Sequence, residues 1–168
     1  MTKQKTFADK TGLGCQNRSV TLQELDFEGQ VLIWALRMSM RGAKQQEQVK
    51  DQFKRALLPS AARLASQSIF NIIEVVKGYG KRSLRLNCLC QSAISEDEKI
   101  LLDFFKAVNN RDVQMVTHSA NTFLNYDGYE KMIGALATFG ISITNRKKLH
   151  GADRIPTKTF YHISEAIH

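Results

Sequence analysis

Proline is nearly absent: Pro59 and Pro156 are the only two in 168 residues. The backbone therefore has room for long helices, because each proline removes a donor and kinks or ends the helix it interrupts. Cysteine is scarce too. Cys15, Cys88 and Cys90 make an odd number, too few for the disulfide frameworks that staple small secreted domains. No long apolar run exists. The most apolar stretch, Val31 to Leu36, stops at Arg37, far short of the roughly 20 residues that a membrane-spanning helix needs. Residues Met1 to Ser19 are polar and carry no apolar stretch of the kind that marks a secretory signal. These absences lead to the expectation of a cytoplasmic chain without a membrane partner. Acid is missing locally as well, since no Asp or Glu stands between Lys77 and Glu96.

What is present is ordinary for a globular protein: 43% hydrophobic and 24% charged residues, within the usual range. A chain of this length fits one domain and buries roughly two thirds of its unfolded surface, so neither a disulfide nor a metal is needed for folding. The formal net charge of +8 suits acidic partners, such as nucleic acid or an acidic protein. The same charge is also explained by solubility alone.

Hydrophobic spacing predicts an all-α fold, a compact bundle of five to six helices over residues 21–144, between a flexible N-terminal tail (1–20) and a basic C-terminal segment (145–168). Thr21 with Glu24 has capping-box spacing, and Asp26 offers a second N-cap. From there Phe27, Val31, Trp34, Ala35 and Met38 follow helical pitch, with Gly42 as the stop. Leu32, Ile33, Leu36 and Met40 fall on the other faces of that helix. A helix apolar nearly all round is either central in the fold or part of a contact with another chain. Val49, Phe53, Ala56 and Leu57 define the next helix, closed or kinked by Pro59. A stripe of Ala61, Ala65, Ile69, Ile72 and Val76 defines a third, capped by Ser60 and ended by Gly78 and Gly80. Lys81 to Ala93 has no helical period, and Leu84 and Leu86 alternate with polar residues as in a short extended segment.

Ser95 and Glu98 form the clearest helix start, with Glu96 and Asp97 suited to the positive end of the helix dipole. Leu101, Phe104, Phe105 and Val108 supply the buried face there, and Asn109-Asn110 a turn. Val113, Val116, Ala120, Phe123 and Leu124 mark a fifth helix; Tyr129, Met132, Ile133 and Leu136 mark a sixth, ended by Gly140. The alternation of Ile141 and Ile143, with the β-branched and aromatic run Thr157 to Ile163, leaves two readings of the C-terminus: a β-hairpin wing, or a loosely ordered basic tail.

The residue pattern holds no catalytic constellation. Gly78-Tyr79-Gly80-Lys81 is similar to the end of a phosphate-binding loop, but Val75 stands where that pattern needs glycine and Arg82 where it needs a hydroxyl. Cys88 and Cys90 are too close for the usual zinc spacing and lack a second pair; they read as two small, semi-buried thiols beside Leu86 and Leu89. His118 reads as a surface residue, and Glu96-Asp97-Glu98 as a helix start in place of an acid/base pair. No nucleophile, cofactor or metal site emerges, and the expectation is a chain that binds without catalysing.

Two binding readings remain. The first is a regulatory or adaptor protein that meets a protein partner, or its own copy, through the surplus apolar residues Leu32, Ile33, Leu36 and Met40. The second is a nucleic-acid-binding module, winged-helix-like if the C-terminus forms a hairpin. It would use Lys81, Arg82 and Arg85 together with Arg146, Lys147, Lys148 and Arg154, since phosphates attract clustered cations through charge pairing and counterion release. The sixth helix has no Arg, Asn or Gln to read base edges, so non-specific contact is the form this second reading takes.

Overall fold

Short polar side chains start three of the helices, and Ser60, expected to cap another, lies inside it after the N-cap Leu58. The Asp26 carboxylate accepts from the Gly29 amide at 2.8 Å and opens α1 (Phe27–Ser39). Ser95 accepts from the Glu98 amide and opens α4 (Glu96–Asn110), while Asp112 does the same for Met115 at the head of α5 (Val113–Phe123). Each such cap satisfies one of the donors that a first helical turn leaves orphaned. The remaining helices are α2 (Ala43–Ala56), α3 (Pro59–Tyr79) and α6 (Tyr129–Thr144), with 3-10 turns at Leu22–Glu24 and Tyr126–Gly128. The computed structural model describes residues 20–144, and across these the fold is all-α, a compact six-helix bundle. Among the described residues no helix is long and apolar enough to cross a membrane.

The core forms around α1. Every residue from Val31 to Ser39 is buried, which settles the two meanings of its all-round apolar pattern in favour of a central helix. Leu32, Ile33 and Leu36 are wholly inside; Leu32 and Ile33 are packing residues and not a partner-binding surface, Leu36 reaches only the wall of a cavity, and Met40, 48% exposed, is the one of the four that stands outward. A chain of aromatic contacts ties four helices together. Trp34 of α1 meets Phe53 of α2 edge-on at 6.3 Å between centroids, Phe53 meets Phe139 of α6, and Phe139 meets Phe105 of α4 at 5.8 Å. Such tilted and edge-to-face pairs are the preferred aromatic geometries. The α3 stripe of Ala61, Ala65, Ile69, Ile72 and Val76 is buried as its spacing predicts, and α3 packs most extensively on α6.

Several boundaries move. Pro59 is the first residue of α3, where its missing N–H costs nothing and its fixed φ suits the helix. Gly42 serves as N-cap of α2 at φ 126°, a conformation that side-chain-bearing residues rarely adopt. Gly78 lies within α3, and only Gly80 follows its end. The left-handed residue after α4 is Arg111, φ 58°, instead of an asparagine. Gly140 does not end α6, which runs on through Thr144; Ile141 and Ile143 are therefore helical, and no wing begins there. The tail up to Ser19 and the segment from Asn145 onward lie outside the described residues. Val113, expected on a buried face, is 74% exposed, because α5 buries only Ser119, Ala120 and Phe123.

A candidate partner-binding groove and the segment that walls it

Residues 81–95 have no regular structure, so their backbone groups need partners from outside a helix or a strand ladder. The partner is Arg37. Its guanidinium, carried on the buried face of α1, uses all five donors: Nε and Nη2 bond the two Glu98 carboxylate oxygens at 2.6 and 2.8 Å, while Nη1 and Nη2 bond the carbonyls of Cys88, Gln91 and Ala93. Glu98 is equally committed. Beyond Arg37 it accepts from the amides of Asn87 and Ser95, so the capping-box residue is also the counter-ion of a buried cation. Arg37 is 3% exposed and Glu98 0%; such a pair persists only where geometry and extra hydrogen bonds satisfy both members.

A second carboxylate holds the first half of the segment. Asp97 receives the Arg82 guanidinium in a fork at 2.5 and 2.6 Å and the Arg85 amide at 2.8 Å. The hydrogen-bonded Arg82 cation holds the Asp97 carboxyl below its usual range, helped by the Arg85 amide and opposed by partial burial. Arg82 is raised in turn by the same pairing, and its guanidinium also stands 5.7 Å from the Phe123 ring centroid. Backbone bonds complete the anchoring: Leu22 N–H to Ser92 O, Ile94 N–H to Val20 O, and Lys81 N–H to Phe123 O.

With the segment held this way, Leu84 and Leu86 face the ends of α1 and α3 across a cavity of about 400 Å³. Leu36, Met40, Ile73, Val76, Leu84 and Leu86 supply its apolar lining, and Lys77 and Arg82 are its charged members. No acidic residue lines it among the described residues. The volume lies in the range of pockets that take a small ligand or a few side chains.

The groove unites residues that the sequence assigns to different roles. Leu36 and Met40 come from the apolar set and Arg82 from the basic set. Lys81 instead donates from Nζ to the Asn121 carbonyl at 2.6 Å, and Arg85 is exposed with its amide on Asp97. Arg146, Lys147, Lys148 and Arg154 lie outside the described residues, so their relation to the first basic group is not part of the described fold. Cys88 and Cys90 depart from expectation: both are exposed, not semi-buried, and they are joined by a disulfide with Cα atoms 5.4 Å apart. His118 is exposed on α5. Among the described residues, no three His, Cys, Asp or Glu side chains gather where they could hold a metal ion.

Arg37 and Glu98 were missed as a site-building pair. One signal was available: a lone arginine inside a helix whose every other face is apolar must find a buried acid. The fold and groove define a class, a six-helix all-α domain that bears an apolar, cation-rimmed cleft. Comparison with protein-family models, curated proteins and solved structures finds no match for this chain.

Proposed function

We propose that this chain is a non-enzymatic regulatory or adaptor protein. Its partner is an acidic protein that inserts an apolar side chain, flanked by a carboxylate, into the groove between α1, α3 and residues 80–86. The observation that carries this reading is the lining: six apolar residues with Lys77 and Arg82 at the rim and no acid. Apolar contact supplies affinity, while the net charge of +8 steers an acidic partner toward the chain and disfavours a basic one. Nucleic acid is less well supported as the partner. Phosphate is drawn by charge alone and makes no use of an apolar cavity, whereas six of the residues that line the groove are apolar.

Selection of displayed random peptides on the full chain tests the proposal. Enriched peptides are expected to pair Leu, Phe or Met with a neighbouring Asp or Glu. A synthetic copy should lose at least about tenfold in affinity against Met40→Asp or Leu84→Asp, as expected for an apolar anchor that meets a charge. Enriched peptides that bind both variants as well as they bind the parent chain refute the groove. Selection of basic peptides refutes the charge argument.

A further inference from the structure

We propose that Cys88 and Cys90 form a thiol–disulfide exchange site, and that the co-reactant class is a dithiol. The inference is independent of what occupies the groove. Two observations support it. The two cysteines are bridged across a single intervening residue, and both are exposed, so an external thiol can reach the sulfurs. Fold maintenance does not depend on the bridge: the surrounding backbone is already held by Arg37 on the carbonyls of Cys88, Gln91 and Ala93, by Glu98 on the Asn87 amide, and by the Gln91 N–H on the Cys88 carbonyl. A bridge closing so small a loop also removes little freedom from the unfolded chain, which makes it a poor staple.

The exchange balances as a two-electron transfer. One thiolate of the dithiol attacks a bridge sulfur, the S–S bond breaks, and the other cysteine departs as thiolate and takes up a proton. The second thiol of the co-reactant then attacks the mixed disulfide, closes its own S–S bond and releases the second cysteine. Two electrons and two protons reach Cys88 and Cys90, and the dithiol becomes a disulfide. A monothiol is the poorer co-reactant. After its attack the freed cysteine sits one residue from the mixed disulfide, at high effective concentration, and expels it.

The test uses the full chain, oxidised in air and equilibrated in buffers of graded reduced-to-oxidised dithiothreitol, with glutathione as the monothiol arm. Differential alkylation and peptide mapping report Cys88, Cys90 and Cys15 separately. Cys88 and Cys90 are expected to titrate together as one two-electron couple, with helical circular dichroism unchanged and the dithiol opening the bridge at least about tenfold faster than the monothiol at equal thiol concentration. The double variant Cys88→Ser/Cys90→Ser should keep the parent's helicity and thermal midpoint and lose the couple. The proposal is overturned if the two thiols stay free after oxidation, if the bridge resists the dithiol, or if reduction or the double substitution unfolds the domain. Recovery of the reduced chain with stoichiometric zinc on the pair would overturn it as well.

Discussion

Replacing Arg37 with methionine keeps an unbranched apolar stem and removes the charge and all five donors. The loss falls mainly on Glu98, which is wholly buried and then faces only the Asn87 and Ser95 amides. Among the three carbonyls the damage is uneven. Ala93 O keeps the Asn87 side-chain amide and Cys88 O keeps the Gln91 N–H, so Gln91 O alone loses the bond described for it. Removing one member of a buried ion pair costs about 3–5 kcal/mol, a large share of the roughly 5–15 kcal/mol that holds a domain together. In equilibrium urea unfolding followed by circular dichroism, that cost lowers the midpoint by about 2 M if the slope is near 2 kcal/mol/M. Combining Arg37→Met with Glu98→Leu should cost less than the sum of the single changes by about 2 kcal/mol or more, since neither charge is then stranded. The double variant does not return to parental stability, because the Asn87 and Ser95 amides lose their acceptor at roughly 1–3 kcal/mol each. A single Arg37→Met change costing under about 1 kcal/mol, or additivity of the two substitutions, would refute the assignment of this pair as the anchor of residues 87–95.

Two further perturbations follow from the same segment. Asp97 is held below its ordinary value of 3.8 in the folded chain, so its contribution is complete above that value and is lost as pH falls through the lower folded pKa. Asp97→Asn should therefore flatten the acid limb of a stability-versus-pH curve below about pH 4, and an unchanged limb would show that the Arg82 fork contributes nothing in solution. The paired glycines after Val76 should behave in opposite ways. A Cβ on Gly80 would stand 2.3 Å from the Val76 carbonyl oxygen and 3.0 Å from that of Arg82, so Gly80→Ala should cost about 1–3 kcal/mol as the backbone shifts. Gly78→Ala meets nothing within 4 Å in the interior of α3 and should stabilise by about 0.5–1 kcal/mol. Thermal melts of the two variants check the pair, and equal effects would contradict the close approach at Gly80.

Local rules were legible in the sequence wherever one element answers to its own residues. Ser95 with Glu98, Asp26 and the α3 stripe each behave as their spacing predicts, because caps and amphipathic faces are decided within a few residues. The failures are tertiary. Val113 has the right spacing for a buried face, but α5 is held only through its C-terminal half, and no local pattern reveals how far a neighbouring helix extends. Glycine misled in the opposite sense. Gly78 and Gly140 look like stops, yet the flanking apolar residues Val75, Val76, Phe139 and Ile143 are buried, and their packing outweighs the propensity cost of roughly 1 kcal/mol per glycine. The groove was half visible: Leu36, Met40 and Arg82 were all singled out, but for separate purposes, because the sequence does not show that the segment after α3 folds back over the end of α1.

That fold-back explains why a charged pair sits where packed hydrocarbon would cost less. Apolar residues at positions 37 and 98 would fill the space and, in general, equal or exceed a buried ion pair in stability. They would not satisfy the irregular backbone of residues 87–95, whose carbonyls at Cys88, Gln91 and Ala93 and amides at Asn87 and Ser95 all terminate on Arg37 or Glu98. A helix in this place would satisfy most of its own backbone, but it would not set Leu84 and Leu86 opposite Met40 with Arg82 at the rim. The ion pair is therefore tied less to overall stability than to one shape of this segment. It follows that Arg37→Met should weaken peptide binding at the groove even in conditions where the variant remains fully folded. A folded variant with parental affinity would show that the wall keeps its form without its anchor.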